Sequence, residues 1–153
     1  STPKPSSAAS DVYKRQGMFN GLTINASGLA LERLKLDTIS SNIANVNTNQ
    51  TQTTAAYQKK SILFSENLKN SREGTPATYG VKVTGIAADE TEKLTYDPTN
   101  PAANDEGYIG QSNVDIADEM VAMLQAVRTY EANVSASEMN KTILKKALEI
   151  SKG

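Results

Sequence analysis

The apolar positions of the C-terminal third repeat at alternating steps of four and three residues. They are Ile116, Met120, Met123, Val127, Tyr130 and Val134. This spacing is typical of the seam that one helix presents to another, and it predicts a long helix over residues 116–150. At about 1.5 Å per residue such a helix is about 50 Å long, more than a compact domain of this size needs. We interpret it as a strut or an assembly element.

The apolar stripe changes phase after Val134, because Ser137 and Lys141 stand where apolar residues would continue it. A shifted stripe follows, formed by Ala136, Met139, Ile143, Ala147 and Ile150. A change of phase along one helix indicates a second surface or a change of partner.

A second helix is predicted over residues 18–48, where Leu22, Leu29, Leu36 and Ile43 recur at a spacing of seven. We expect it to pair antiparallel with the C-terminal helix of residues 113–153. The predicted seam of this pair consists of Leu29, Leu36, Ile43, Met120, Met123, Val127 and Val134.

The N-terminal helix closes with the polar segment Ser40-Ser41-Asn42-Ile43-Ala44-Asn45-Val46-Asn47-Thr48, in which Asn47 is a candidate left-handed terminating residue. Asn42 and Asn45 are three residues apart and share a face of the helix. They are either a polar helix end or amides that bind a neighbour and fix its register.

Residues 49–112 are predicted as a loop and a small β domain, with strands at 57–64, 80–86 and 93–96. Residues 65–78 are predicted as a flexible excursion, and residues 97–108 as a turn-rich connection. Asp115 stands at the N-cap of the last helix with Asp118 three residues later. The predicted fold class is mainly α with a small β part, in which the β domain is inserted between two long helices that form an antiparallel, coiled-coil-like pair.

The composition removes most catalytic chemistry, because the 153 residues include no Cys and no His. A net charge of −1 gives no motive for binding nucleic acid or anionic lipid. There is no long apolar run and no classical secretory signal, so we predict no membrane insertion.

One acidic group offers candidate chemistry: Asp105, Glu106, Asp115, Asp118 and Glu119. It lacks the ordered spacing of a calcium loop, so helix capping and solvation explain it better. We expect no enzyme activity, no cofactor and no metal, with a metal-dependent hydrolase using Asp115, Asp118 and Glu119 as the competing hypothesis.

Residues 1–17 are rich in Ser, Pro and Ala and are predicted to be disordered. Met18 follows them directly and is a candidate natural start. We therefore expect residues 1–17 to be a leader that does not belong to the folded chain.

From Met18 to Ile150 the chain resembles the flagellar axial proteins, the family of rod and hook subunits. The resemblance is carried by the segment from Ser40 to Thr48 and by four further motifs. These are Gly80-Val81-Lys82-Val83-Thr84-Gly85-Ile86, Tyr96-Asp97-Pro98, Glu106-Gly107-Tyr108 with Asn113-Val114-Asp115, and Glu119-Met120-Val121 through Arg128-Thr129-Tyr130-Glu131-Ala132-Asn133-Val134. The middle and C-terminal motifs, with the short length, are most similar to a proximal rod subunit.

The resemblance implies an extracytoplasmic structural protein of the flagellar basal body, exported by the flagellar type III apparatus without a cleaved signal. It implies partners among rod subunits (FlgB, FlgF, FlgG, FliE and further copies of the chain) and a periplasmic place in a Gram-negative host. The residues that it marks for the axial motif and assembly are Ser41, Asn42, Ile43, Ala44, Asn45, Asn47, Thr48, Tyr130, Ala132, Asn133, Val134 and Ile143. We expect Asn42, Asn45, Asn133 and the shifted stripe to face neighbouring subunits. Other hypotheses are a distal rod or hook subunit and a cytoplasmic coiled-coil adaptor.

Overall fold

The computed structural model describes residues 5–68 and 79–152, with side chains described from Gly17 onward, and has two long helices separated by short strands. In chain order the elements are α1 (Pro5–Ala44), β1 (Lys60–Glu66), β2 (Val81–Ala88), β3 (Lys93–Tyr96), β4 (Tyr108–Gln111) and α2 (Ile116–Lys152). β1 pairs with β2, and β3 pairs antiparallel with β4. The predicted class, two long helices with a small β part between them, is confirmed.

α1 begins at Pro5, well ahead of the predicted start at residue 18. The prediction of disorder is therefore wrong for residues 5–17, and residues 1–4 lie outside the described residues. Proline suits the first helical turn, because its fixed φ is helical and its missing N–H would have no partner there. Residues 6–16 then contain no Gly and no Pro to interrupt the helix.

α1 ends through side-chain amides instead of a left-handed residue. Asn45 Nδ2 donates to the Ser41 carbonyl at 2.9 Å, and Asn45 Oδ1 accepts from the Thr48 hydroxyl at 3.1 Å. No residue other than glycine has a positive φ in the part of the chain that the structure describes. The prediction that Asn47 adopts a left-handed conformation is therefore wrong.

The fourth strand was not predicted. β4 lies within and just after the segment interpreted as a turn-rich connection, and its four residues are too few to show a clear alternation. Gly107 turns the chain immediately before β4 and has a φ of 84°, which glycine adopts readily. A Cβ at this position would lie 2.9 Å from Tyr96 Cε2, so there is no room for a larger residue. Tyr96 and Tyr108 then face each other across the β3–β4 pair, with their ring centroids 5.4 Å apart. Of the predicted excursion at 65–78, residues 69–78 lie outside the described residues.

The chain divides into two compact units, and each takes part of both helices. The first contains the described residues up to Glu32, from Phe64 to Lys82 and from Arg128 onward. The second contains Arg33–Leu63 and Val83–Val127. Its buried apolar side chains are Ile39, Ile109, Val114 and Ala126.

Within the first unit, α1 and α2 run antiparallel and approach each other closely. A Cβ built on Gly21 would lie 3.2 Å from Asn140 Nδ2, and one built on Gly28 would lie 3.0 Å from Asn133 Nδ2. Seven residues forward along α1 thus correspond to seven residues back along α2. The predicted antiparallel orientation is confirmed.

The seam predicted for α2 is wrong for Met120, Val127 and Val134, because the most buried residues of the helix lie one position before them. Met120 is 58% exposed, and Val127 and Val134 are exposed as well, whereas the buried residues of α2 are Glu119 and Ala126. The other predicted seam residues, Leu29, Leu36, Ile43 and Met123, are half-buried. In each unit the more buried side of α2 therefore carries mainly small and polar residues, with Met123 and Leu144 as half-buried exceptions.

Candidate assembly site

The side chain of Asn42, in the last turn of α1, is the centre of a polar cluster in the second unit. It is fully buried, with an exposed fraction of 0%. Its Oδ1 accepts hydrogen bonds from the Tyr57 hydroxyl at 2.9 Å and from the Lys60 N–H at 3.0 Å. Its Nδ2 donates to the Lys60 carbonyl at 2.8 Å and to Glu119 Oε2 at 3.1 Å. All four hydrogen-bonding positions of the amide are therefore used.

The Asn42 amide binds both backbone groups of Lys60, the first residue of β1. It accepts from the N–H and donates to the C=O, which is the pair of bonds that a neighbouring strand would supply. The start of β1 is thereby fixed against the end of α1. The Asn42 side chain is fully buried whereas Lys60 is exposed, so losing the amide would remove both of these bonds and leave the buried Glu119 carboxylate without its Asn42 donor.

Glu119 joins α2 to the same cluster. Its carboxylate is only 2% exposed, and Oε1 lies 2.9 Å from Lys59 Nζ while Oε2 accepts from Asn42. A buried carboxylate is tolerated when it is paired and hydrogen-bonded in this way. The hydrogen-bonded ion pair with Glu119 raises the pKa of Lys59 above its ordinary value of 10.5, because the ammonium form is the one that pairs.

Asn113 extends the cluster into the loops that precede α2. Its Oδ1 accepts from the Lys59 N–H at 2.6 Å, and its Nδ2 donates to the carbonyls of Asp89 and Thr91 at 2.8 and 3.0 Å. The Asp89 N–H donates in turn to the Lys59 carbonyl at 2.8 Å. Hydrogen bonds from the side chain and backbone of Thr91 lower the pKa of Asp89. The Asn113 side chain thus links the residue that precedes β1 to the residues that follow β2.

Asp115 stands directly before α2. Its Oδ1 accepts from the backbone N–H groups of Ala117 at 2.8 Å and Asp118 at 3.4 Å, as the side chain of an N-cap residue does. Asp118 and Glu119 lie in the first turn, where carboxylates suit the positive end of the helix dipole.

The sequence matches known flagellar proteins along most of its length. A family model for flagella basal body rod protein matches residues 22–49, and one for flagellar basal body rod FlgEFG protein C-terminal matches residues 105–150. The flagellar basal-body rod protein FlgC of Bacillus subtilis is 40% identical over 147 residues, covering 88% of this chain and 98% of the relative. FlgC of Borreliella burgdorferi is 34% identical over 90% of this chain and 99% of the relative, and FlgC of Salmonella typhimurium is 32% identical over 87% and 97%. The chain belongs to the FlgC family.

The structure leaves most residues of the predicted assembly set exposed. Those that are exposed are Ser41, Ala44, Asn47, Thr48, Tyr130, Ala132, Val134 and Ile143, while Ile43 and Asn45 are half-buried. Asn42 and Asn133 were expected to face neighbouring subunits. The expectation is wrong for Asn42, which is fully buried, and stays a prediction for the half-buried Asn133. Asn42 binds Glu119 inside its own unit, and Asn133 lies against Gly28 inside the other. Both amides lie on the side of their helix that faces the paired helix.

The residues that sequence reasoning missed are Tyr57, Lys59, Asn113 and, as a buried residue, Glu119. A charged side chain is usually exposed, so Glu119 was assigned to capping or to a hydrolase. A signal was present, because Glu119, Ala126, Asn133, Asn140 and Ala147 recur at a strict spacing of seven and lie one residue before the apolar stripe. A helix–helix contact can be indicated by small and polar residues that recur every seven positions, and not only by leucines at that spacing.

The hydrolase hypothesis finds no support in this geometry. The Glu119 carboxylate is occupied by Lys59 and Asn42, and the Asp115 carboxylate caps α2. In residues 5–68 and 79–152 no group of three or more Asp and Glu side chains is placed to hold a metal ion. Among the same residues no helix is long and apolar enough to cross a membrane.

Proposed function

We propose that this chain is a structural subunit of the proximal rod of the bacterial flagellar basal body, and that it builds a helical tube by helix–helix packing. Its membership of the FlgC family supports the place in the basal body. The observation that carries the mechanism is the outer stripe of α2, an apolar row left exposed by the chain's own fold. The outer stripe consists of Ile116, Met120, Val127, Tyr130 and Val134.

The outer stripe has the spacing of a helix seam, yet it stays partly exposed among the side chains that the structure describes. Its side chains are between 36% and 58% exposed. Completing the burial of such a side chain would contribute roughly 1 kcal/mol, so the stripe offers roughly 5 kcal/mol. Association alone costs about 4 to 15 kcal/mol, so one such contact is insufficient for a stable assembly. A subunit of this kind needs several neighbours at once.

A second exposed apolar row lies further along α2 and supplies such a contact. It contains Met139, Ile143 and Ile150, which are in a different phase from the outer stripe. Two surfaces of different phase bind different patches on neighbouring subunits, and contacts of this heterologous type generate open helical assemblies instead of closed dimers. This arrangement favours a tube over a simple oligomer.

The finer parts of the proposal follow from the family. The chain would be exported by the flagellar type III apparatus without a cleaved signal and would act outside the cytoplasm, in the periplasm of a Gram-negative host. Its partners would be further copies of itself and the rod subunits FlgB, FlgF, FlgG and FliE. The proposal assigns it no catalytic role, and no observation favours a distal rod subunit, a hook subunit or a cytoplasmic adaptor.

The test is a charged substitution in the outer stripe. Val127→Asp places a carboxylate where a neighbouring helix would pack, and Ser135→Asp places the same charge on an exposed position of α2 outside the stripe. We expect both variants to keep the helical circular dichroism of the parent and to be exported. Only Val127→Asp should be absent from purified basal bodies and fail to restore motility to a strain that lacks the gene.

Incorporation of Val127→Asp at the level of Ser135→Asp would refute the role of the stripe. Retention of the parent protein in the cytosol of a flagellated cell, with none in purified basal bodies, would refute the rod assignment itself.

A further inference from the structure

Two glycines of α1 lie against two asparagines of α2 in the first unit. We call each such contact a rung. In one rung a Cβ on Gly28 would lie 3.0 Å from Nδ2 and 3.3 Å from Cγ of Asn133. In the other a Cβ on Gly21 would lie 3.2 Å from Nδ2 and 3.7 Å from Cγ of Asn140. At both rungs the amide occupies space that any larger residue on α1 would contest.

A third glycine in the same helix shows that the rungs are specific contacts. Among the described residues, and apart from the neighbouring backbone of α1 itself, nothing lies within 4 Å of a Cβ built on Gly17, so this position has room for a side chain. Glycine weakens a helix interior relative to alanine, so a glycine without a neighbour gives α1 nothing in return. At Gly21 and Gly28 the same cost is offset by close packing of the Asn amide.

The spacing of these residues singles out one alignment of the two helices. Gly21 and Gly28 are seven residues apart, as are Asn133 and Asn140, and α2 contains no other asparagine and no glycine. A shift of one heptad would leave at most one asparagine opposite a glycine. In one direction it would also leave Ala147 opposite Gly21, with an empty space in place of the amide. Apolar heptads alone lack this selectivity, because they match again after every shift of seven.

We propose that the Gly21–Asn140 and Gly28–Asn133 rungs set the register in which α1 and α2 pair, and that they are the specificity-determining contacts of the helix pair. A shift of seven residues would move every side chain of α2 by about 10 Å along α1. The rungs therefore determine which exposed residues of the two helices lie side by side on the surface of a subunit. This inference concerns the single chain and is tested on the monomer, so it stands or fails independently of incorporation into a rod.

The register is measured by disulfide formation in the full chain, which contains no cysteine of its own. A Cβ at position 28 would lie 3.3 Å from Asn133 Cγ, which is bonded directly to the Asn133 Cβ, so cysteines at the two positions can reach each other. We expect Gly28→Cys with Asn133→Cys to form an intrachain disulfide in high yield under mild oxidation. The matched control, Gly21→Cys with Ala147→Cys, is offset by one heptad and should form little. Each pair replaces residues of one rung and leaves the other rung intact. Equal yields from the two pairs would overturn the proposed register.

The specificity of the rung is measured by exchanging its residues, with Gly21→Cys and Asn140→Cys as the reporter disulfide. Gly28→Asn should crowd Asn133, and Asn133→Gly should leave an empty space, so each alone should lower the reporter yield and the melting temperature. The double exchange restores one glycine opposite one asparagine and should recover most of both. The double variant contains both substitutions, so it carries the helix-propensity effects of both single variants. A recovery of disulfide yield and melting temperature must therefore come from the contact between the two residues. A double variant no better than the worse single variant would overturn the proposal, even if the singles are largely unfolded.

Discussion

Asn42→Asp is the sharpest test of the polar cluster. The substitution keeps the shape of the side chain and replaces the Nδ2 donor by an oxygen. Two donated hydrogen bonds are lost, one to the Lys60 carbonyl and one to Glu119 Oε2. Both acceptors then face an oxygen, Glu119 Oε2 in a buried contact and the Lys60 carbonyl in a part-buried one.

The cost follows from the partners. A hydrogen bond to a neutral carbonyl contributes about 1 kcal/mol, and one to a charged group contributes about 1.5 to 3 kcal/mol. In its ionised form, which donates neither bond, the new carboxylate also lies beside the buried Glu119 carboxylate, and repulsion between the two like charges adds to the cost. We therefore expect Asn42→Asp to lower the free energy of unfolding by at least about 3 kcal/mol at pH 7.

Asn45→Asp is the matched control, because Asn45 lies one turn further along the same chain segment and is half-buried. It loses one local hydrogen bond to the Ser41 carbonyl and places a negative charge at a helix C-terminus, for a total of about 1 kcal/mol. Urea unfolding followed by circular dichroism at 222 nm measures both variants. If Asn42→Asp costs no more than Asn45→Asp, the buried cluster does not hold the second unit together as described.

Two further predictions concern Lys59 and Ile143. Because the pKa of Lys59 is raised above 10.5, its pairing with Glu119 stabilises the fold fully below pH 10.5 and is lost as the pH rises through the higher folded value. The difference in unfolding free energy between the parent and Lys59→Met should be constant from pH 7 to 10 and shrink at higher pH; a constant difference up to pH 11.5 would contradict the ion pair. Ile143→Asp, at a side chain that is 49% exposed, should leave the circular dichroism of the monomer unchanged and prevent incorporation into basal bodies. Loss of helicity in this variant would show that Ile143 belongs to the chain's own packing.

The elements were predictable because periodicity reports secondary structure directly. The spacing of apolar residues located α2 at 116–150 against the observed Ile116–Lys152, and alternation located β3 at its observed bounds. β4 escaped because four residues carry almost no periodic signal and its pairing depends on the turn at Gly107. The start of α1 was not predicted because the Ser- and Ala-rich composition of residues 1–17 indicates disorder. Residues 6–16 nevertheless contain no Gly or Pro to interrupt a helix.

The side of α2 that packs inside the chain was not predictable from apolarity. An apolar stripe indicates burial but not by which partner, and a stripe buried within one chain has the same spacing as one buried between chains. The interpretation of the α2 stripe as the seam with α1 is therefore wrong for Met120, Val127 and Val134, which are exposed. Glu119 was missed for the opposite reason, because its burial depends on Lys59 and Asn42, which are distant in sequence and cannot be paired with it by spacing.

The second unit places directional polar contacts inside and leaves large apolar side chains outside. A buried amide and carboxylate, paired here with the part-exposed Lys59 ammonium, stabilise a fold less than apolar packing of equal volume does. The hydrogen bonds of the polar cluster are satisfied in one arrangement only, since Asn42 needs the Tyr57 hydroxyl, both backbone groups of Lys60 and the Glu119 carboxylate at once. Apolar contacts are non-directional and allow one element to shift along another, whereas a shift would break the hydrogen bonds of this cluster. The exposed apolar rows of α2 can bind neighbouring subunits only if α2 is held in one position. The polar cluster around Asn42 supplies that fixed position through its directional hydrogen bonds.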